Sequence, residues 1–271
     1  NTGSPEVALA KAQEALAPLE ALPASAYIDY LIGLSWTCQG FANVERGHYE
    51  DAIPCHASSI QYCLRLGYPP RISAAYNNLA IPYEKLGKFD EAEENLKISL
   101  EYATGFGRLL PLMNWGNVAV AKQNLQYARS LYEQSWHLCK ESQSDSHLAY
   151  ALHNLAEVDF LDFQYIAARE RLNEALRIRR VNGDISKTGS TLYALGLLDY
   201  FEGNIDNSWQ ALQESLSLSV KTGDDETLSL VLCAISLVLA TKNQLELAVK
   251  MWSSGDELRR LIRLRPSMSP Q

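Results

Sequence analysis

The sequence predicts an all-α protein built from repeated helical hairpins, and three observations predict it. The first is a small residue that recurs along the chain at Ala12, Ala52, Ala92, Ala128, Ala168, Ser208 and Ala248, with steps of 40, 40, 36, 40, 40 and 40 residues. Self-similarity at a period of 20–50 residues is the mark of a solenoid, in which each repeat buries its apolar face against its neighbours. The second is that other positions keep the same register. Twelve residues before each mark from Ala52 onward sits a small residue: Gly40, Ala80, Gly116, Ala156, Gly196 or Ser236. Three residues before it sits Tyr49, Phe89, Leu125, Tyr165, Ile205 or Leu245, and four after it His56, Leu96, Tyr132, Leu172, Leu212 or Trp252. Positions −3, 0 and +4 share one face of a helix, and a small residue at −12 lets a preceding helix come close to it. The third is the placing of breakers. Gly47, Gly87, Asn124, Gly203-Asn204 and Asn243 fall between the two helices of a unit, and Gly67-Tyr68-Pro69-Pro70, Gly105, Gly183-Asp184 and Gly223-Asp224 fall between units.

Taken in order, residues 5–22 read as the second helix of a repeat, with Leu9, Ala12 and Leu16 at −3, 0 and +4. A chain that begins in mid-repeat is expected to follow further repeats or another domain in a longer protein. Six full hairpins follow, at 25–67, 71–105, 108–143, 146–182, 185–222 and 225–264, and 265–271 is a tail. The repeat runs through 1–271, so one domain is expected. Pro54 and Pro82 fall inside helices and should kink them, because each removes a backbone hydrogen bond. The last helix carries Leu258, Leu261, Ile262 and Leu264, more apolar surface than a polar cap should show. Leu258 and Ile262 are therefore an alternative partner-docking surface.

The run NNLAIPYEKLGKFDEAEENLKISLEYA (77–103) resembles the helix-turn-helix of the tetratricopeptide repeat family, and LGLLDYFEGNIDNSWQALQESLSLS (195–219) is similar to it as well. The resemblance covers essentially the whole chain. It implies a right-handed superhelix of about six repeats plus the half repeat. The period of 40 departs from the usual ~34 residues, and longer helices would absorb the difference. Long repeats with Gly-Asp at their junctions, closed by WSSGDELRRLIRLRP (252–266), resemble the C-terminal sensor arrays of bacterial signal-transduction ATPases and related transcription regulators.

Composition narrows the function further. Of 271 residues 47% are apolar and 21% charged, as in a folded domain. No apolar run reaches the ~18 residues of a membrane helix, and no signal peptide is visible, so a cytoplasmic protein is expected. The net charge of −8 argues against direct nucleic-acid binding. The basic groups Arg177/Arg179/Arg180 and Arg259/Arg260/Arg263/Arg265 read as ordinary helix-end arginines. Five cysteines without a CxxC read as free buried thiols. No P-loop, GxGxxG, GxSxG or HExxH occurs, and His137, His147 and His153 have no nucleophile in register with them. No catalysis, cofactor or metal is expected of this chain.

Binding is the function left. In tetratricopeptide proteins the first helices line a concave groove, and here the first helices 109–121 and 227–241 carry almost no charge. Fourteen residues before the mark stand Asn78, Asn114 and Asn154, a three-rung ladder on consecutive first helices. An amide donates and accepts at once, which suits a peptide backbone, and the family resemblance implies that use. The same amides could instead bridge adjacent helices, or touch a small ligand. Asn77, Asn117, His153 and Glu157 are neighbours in groove-facing registers, and Tyr150, Tyr193 and Tyr200 would continue the wall. The expected partner is a peptide or protein segment, with other domains of a larger parent protein as further partners. Alternatives of another class are a small-molecule sensor, as in the similar arrays of bacterial maltose-regulon activators, where Trp36 and Trp115 could stack on a sugar, or a free-standing scaffold.

Overall fold

The computed structural model describes residues 4–263, and the side chains of 262 and 263 are not described. Among the described residues there are thirteen α-helices and no strand: α1 (Pro5–Glu20), α2 (Ala26–Glu45), α3 (Tyr49–Leu66), α4 (Pro69–Lys85), α5 (Phe89–Tyr102), α6 (Leu109–Ala121), α7 (Leu125–Glu141), α8 (Asp145–Leu161), α9 (Tyr165–Val181), α10 (Ile185–Phe201), α11 (Ile205–Thr222), α12 (Asp225–Thr241) and α13 (Leu245–Arg263). The fold is an all-α repeat solenoid of helical hairpins, preceded by the lone helix α1. The described residues divide into two compact units, one up to Leu138 and the other from Cys139 onward. The first holds α1 to α6 and most of α7, and the second holds α8 to α13.

The register explains each boundary. Every second helix, α3, α5, α7, α9, α11 and α13, begins on the −3 residue. Five residues before each mark from Ala52 onward the backbone turns left-handed, at Gly47, Gly87, Gln123, Phe163, Gly203 and Asn243, with φ between 58° and 82°. The next N–H then reaches back to a carbonyl five residues earlier, as in His48 to Asn43, Gln164 to Asp159 and Asn204 to Asp199. This is the Schellman closure of a helix end. In the third hairpin the turning residue is Gln123 rather than the expected breaker Asn124, which instead caps α7 by accepting from the Tyr127 N–H. Phe163 takes the same conformation although it is bulky and has no turn chemistry of its own. The single 36-residue step falls where α5 and α6 are only 14 and 13 residues long, joined by a 3-10 turn at Gly105–Arg108. Most other helices have 17 to 20 residues, which absorbs the long period. α3 and α4 run on without a break through Pro54 and Pro82.

In three of the hairpins the contact is closer than a side chain on the first helix would allow. All seven marks are buried, and Ala52, Ala92, Ala128, Ala168 and Ser208 have no exposed surface. The small residue at −12 makes room chiefly for the side chain at +4. A Cβ added at Gly40 would lie 2.4 Å from His56 Cε1, one at Gly116 2.3 Å from Tyr132 Cε1, and one at Gly196 2.7 Å from Leu212 Cγ. Ser208 Oγ donates to the Gly196 carbonyl at 2.7 Å, so the mark itself sits on the same backbone. The cores around these contacts are local. Ala80, Ala92, Leu96 and Val118 form one in the first unit, and Ala156, Ala168, Leu172 and Leu195 belong to one in the second.

His56 shows what happens when this socket holds a polar group. It is buried, its Nε2 has no hydrogen-bond partner among the described residues, and burial pushes its pKa down to about 4. Four of the five cysteines are buried as free thiols, while Cys38 is exposed.

Two predictions follow from the socket. Gly116→Ala should destabilise the protein by about 1–3 kcal/mol, because overpacking against Tyr132 outweighs the gain in helix propensity. Gly189→Ala in α10, where an added Cβ meets nothing nearer than 3.5 Å, should stabilise it by about 0.5–1 kcal/mol. Urea denaturation of both variants measures the contrast. His56 also makes stability depend on pH. The unfolded imidazole takes up its proton near 6.5 and the folded one only near 4, so stability is whole above 6.5 and falls as the pH drops toward 4. His56→Leu, the residue already present in this register at Leu96, Leu172 and Leu212, should remove about 1–3 kcal/mol of that acid loss. Denaturation midpoints at pH 7 and pH 4.5 check it.

Candidate functional site

In the second unit three consecutive first helices, α8, α10 and α12, line one concave cavity of about 470 Å³. Spacings of three and four residues place their side chains on one face each. α8 contributes His153, Ala156, Glu157, Phe160 and Leu161; α10 contributes Lys187, Ser190, Tyr193, Ala194 and Leu197; α12 contributes Glu226, Thr227 and Leu230, with Asp224 just before it. Apolar and polar side chains line it together, and among the polar ones Glu157, Asp224 and Glu226 are acids beside the one lysine, Lys187. Such a surface holds a ligand by burial and orients it by a few hydrogen bonds.

The electrostatics of this groove start from Arg179. Its neighbours on α9 find acids on the surface, Arg177 with Glu174 and Arg180 with Glu214. Arg179 turns inward instead and is 3% exposed. It donates to the Lys187 carbonyl at 2.9 Å, to Thr191 Oγ1, and to His153 Nδ1 at 3.4 Å. Burial, offset in part by Asp184 and Tyr150, lowers its pKa to about 10, so it stays charged. Arginine only donates, so His153 Nδ1 accepts and the ring proton sits on Nε2. Burial, with the charges of Arg179 and Lys187, pushes the His153 pKa down to about 3, so the ring is neutral. Glu157 reaches solvent but is crowded by protein atoms, and that desolvation raises its pKa. Burial also pushes Tyr193 up to about 12.

The sequence-predicted residues are distributed as follows. His153, Glu157 and Tyr193 come together in the groove. Tyr150 and Tyr200 are half-buried, and Tyr200 packs against the core around Leu212 and Val231. Asn154 is buried. In the first unit Asn78 is half-buried on α4, and Asn114 Nδ2 donates to Oδ1 of the buried Asn77 at 2.9 Å, an inter-helix bridge. Asn117 Oδ1 accepts from the Tyr132 hydroxyl at 2.7 Å. Trp36 is half-buried, and Trp115 Nε1 donates to Glu93 at 3.4 Å. Leu258 is half-buried on α13, while the side chain of Ile262 lies outside the described residues.

Sequence reading missed Lys187, Arg179, Ser190, Thr227 and Leu230. The available signal was Lys187, Ser190, Ala194 and Leu197 at i, i+3, i+7 and i+10 of a first helix, with Lys187 the one cation of that helix. A second cavity of about 430 Å³ lies in the first unit beside α1, α2 and α3, lined by Gln13, Gln39, Asn43, Asp51 and Cys55 among others. No group of His, Cys, Asp and Glu that could hold a metal occurs among the described residues, and no described helix is long and apolar enough to cross a membrane.

Solved structures with this fold cover nearly the whole chain. The apo form of RapI matches with a TM-score of 0.77 at 13% identity, over 96% of this chain and 93% of that one. A Rap protein complexed with competence and sporulation factor matches at 0.70 and 10% identity, over 95% and 81%. The Rap conjugation gene regulator of the plasmid pLS20, in complex with the Phr* peptide, matches at 0.65 and 13% identity, over 93% and 80%. At these identities the likeness shows the fold. No curated protein matches by sequence. Residues 108–180 match the model of the tetratricopeptide repeat, and the register they carry runs from Ala52 to Ala248.

Proposed function

We propose that the chain is a non-catalytic binding module that takes a peptide or an extended protein segment into the groove of α8, α10 and α12. The observation that carries this reading is the groove itself, which is lined by the apolar Ala156, Ala194, Leu197 and Leu230 together with the polar Glu157, Lys187, Ser190, Asp224, Glu226 and Thr227. An extended chain needs such a surface, because it offers apolar side chains and backbone N–H and C=O groups together. Two solved structures of the same fold were determined with a peptide or factor bound, which supports the reading by analogy. The half-buried Asn78 and Asn114 of the first unit remain candidates for further backbone contacts, with Asn154 as a rung that would have to open. The module would work in the cytoplasm as the sensor or docking array of a larger signalling ATPase or transcription regulator. That part of the reading rests on the long repeats and their Gly-Asp junctions.

Selection from a displayed library of random heptapeptides tests it. Enriched peptides are expected to slow hydrogen exchange in 153–160, 187–197 and 227–230, and Ser190→Trp, which fills the groove, is expected to abolish binding. Enriched peptides that protect only α13, or that bind Ser190→Trp unchanged, would place the partner surface elsewhere.

A further inference from the structure

The cavity of the first unit holds a buried amide with nothing to bond. It has a volume of about 430 Å³, is walled by α1 and α3 with α2 beneath, and shares no residue with the groove of α8, α10 and α12. Gln39 on α2 lines it at 4% exposure. The Gln39 Nε2 is buried without a hydrogen-bond partner, and its Oε1 accepts from no group among the described residues. Its neighbours on the same face of α2 are bonded. Ser35 and Asn43 stand one turn to either side. Ser35 Oγ donates to the Ala12 carbonyl of α1, and Asn43 Nδ2 donates to the Asp51 carbonyl of α3 at 3.5 Å and to Cys55 Sγ at 3.7 Å. Gln39, between them, bonds to neither helix. The repeat gives this position no reason to be polar. Thirteen residues before the mark the other five hairpins carry Leu79, Trp115, Leu155, Leu195 and Ile235, all buried except the half-buried Trp115. An apolar side chain there joins the core, whereas an unbonded amide forfeits its hydration.

We propose that this cavity is a site for a small molecule bearing an NH2 group on a planar carbon beside an acceptor, as in a primary carboxamide or an amino-substituted nucleobase. Three atoms set that chemistry. Gln39 offers a donor and an acceptor side by side, and rotation about its soft last torsion turns the pair toward the cavity. Asn43, 6% exposed, has spent its Nδ2 on α3, and its Oδ1 has no partner among the described residues. That oxygen is a second acceptor, one turn or about 6 Å along the helix. An NH2 group supplies one hydrogen to each acceptor, and the acceptor next to it takes the Gln39 N–H. Leu9, Ala10 and Pro54 give the walls apolar surface for the faces of a flat group. The charged lining residues Glu6, Arg46 and Asp51 are of both signs and exposed or half-buried, and His48 Nδ1 is turned to Asp51 Oδ2 at 3.8 Å. The deeply buried polar groups are thus the two neutral amides, and the end of the ligand that meets them is neutral. A polar residue held where the fold gains more from an apolar one is the usual cost of a binding site.

Titration of the whole chain, labelled with ¹⁵N-glutamine, tests this with nicotinamide and with adenosine. Nicotinic acid and inosine, in which oxygen replaces the NH2 group, are the controls. Gln39→Leu assigns the Gln39 side-chain signals and supplies the kind of residue that the other hairpins carry. Saturable movement of the Gln39 NH2 signals is expected with at least one amino ligand, with affinity about tenfold or more weaker for its oxygen counterpart. Saturation-transfer signals from the bound ligand should vanish in Gln39→Leu, yet the thermal midpoint of that variant should rise by about 2–4 °C. A response to nicotinamide alone identifies a carboxamide site, a response to adenosine alone a nucleobase site, and a response to both a site that reads only the NH2 edge. Gln39 signals unmoved by both ligands at about 10 mM, or moved as readily by the controls, overturn the proposal. Ligand binding that survives in Gln39→Leu also overturns it. So does a midpoint that fails to rise in that variant, because the amide would then serve the fold.

Discussion

The close approach of the two helices of a hairpin, with a small residue at the contact, is the constraint on which the rest depends. A side chain four residues past the mark enters a space left by a small residue on the first helix, at 40 and 56, 116 and 132, and 196 and 212. Packing at this distance gains dispersion and apolar burial only if nothing occupies the socket. The hairpin must therefore keep its register to within one residue, and the period along the chain is the trace of that demand. Where the second helix starts, how the first one ends, and which first-helix residues are left free to face a ligand all follow from it.

The constraint also explains how much of the fold was legible. Small residues cannot be replaced at a close contact, so Gly40, Gly116 and Gly196 stand out in the sequence, as do the buried marks. Glycine at 47, 87 and 203 announces a left-handed turn by its chemistry. Gln123 and Phe163 adopt that turn without announcing it. There the Schellman hydrogen bonds and the packing on either side impose a conformation that the residue itself does not favour. Asn124 looked like the breaker because its side chain has a role one residue later, as the cap of α7.

The groove was legible in part. Its position on first helices follows from the repeat, and the register placed His153, Glu157 and Tyr193 there. Its charge pattern was hidden, because whether an arginine is paired depends on residues far away in sequence. Arg177, Arg179 and Arg180 look alike in a string of letters, yet two reach surface glutamates and the third is buried under the groove. The Asn114 amide likewise pairs with Asn77 on a helix 37 residues away, which spacing within one repeat could not reveal. The buried Arg179 holds the neutral His153 ring in a fixed orientation at the groove, and fixed orientation is the property that a recognition groove needs.

A double-mutant cycle on Gly196 and Leu212 tests the central claim most directly. If the glycine exists to receive the leucine, Gly196→Ala destabilises the native protein but becomes neutral or stabilising once Leu212→Ala has emptied the socket, with a coupling energy of about 1–3 kcal/mol. Effects of the two substitutions that simply add in urea denaturation would contradict it, and would mean that the small-residue register marks something other than the hairpin contact.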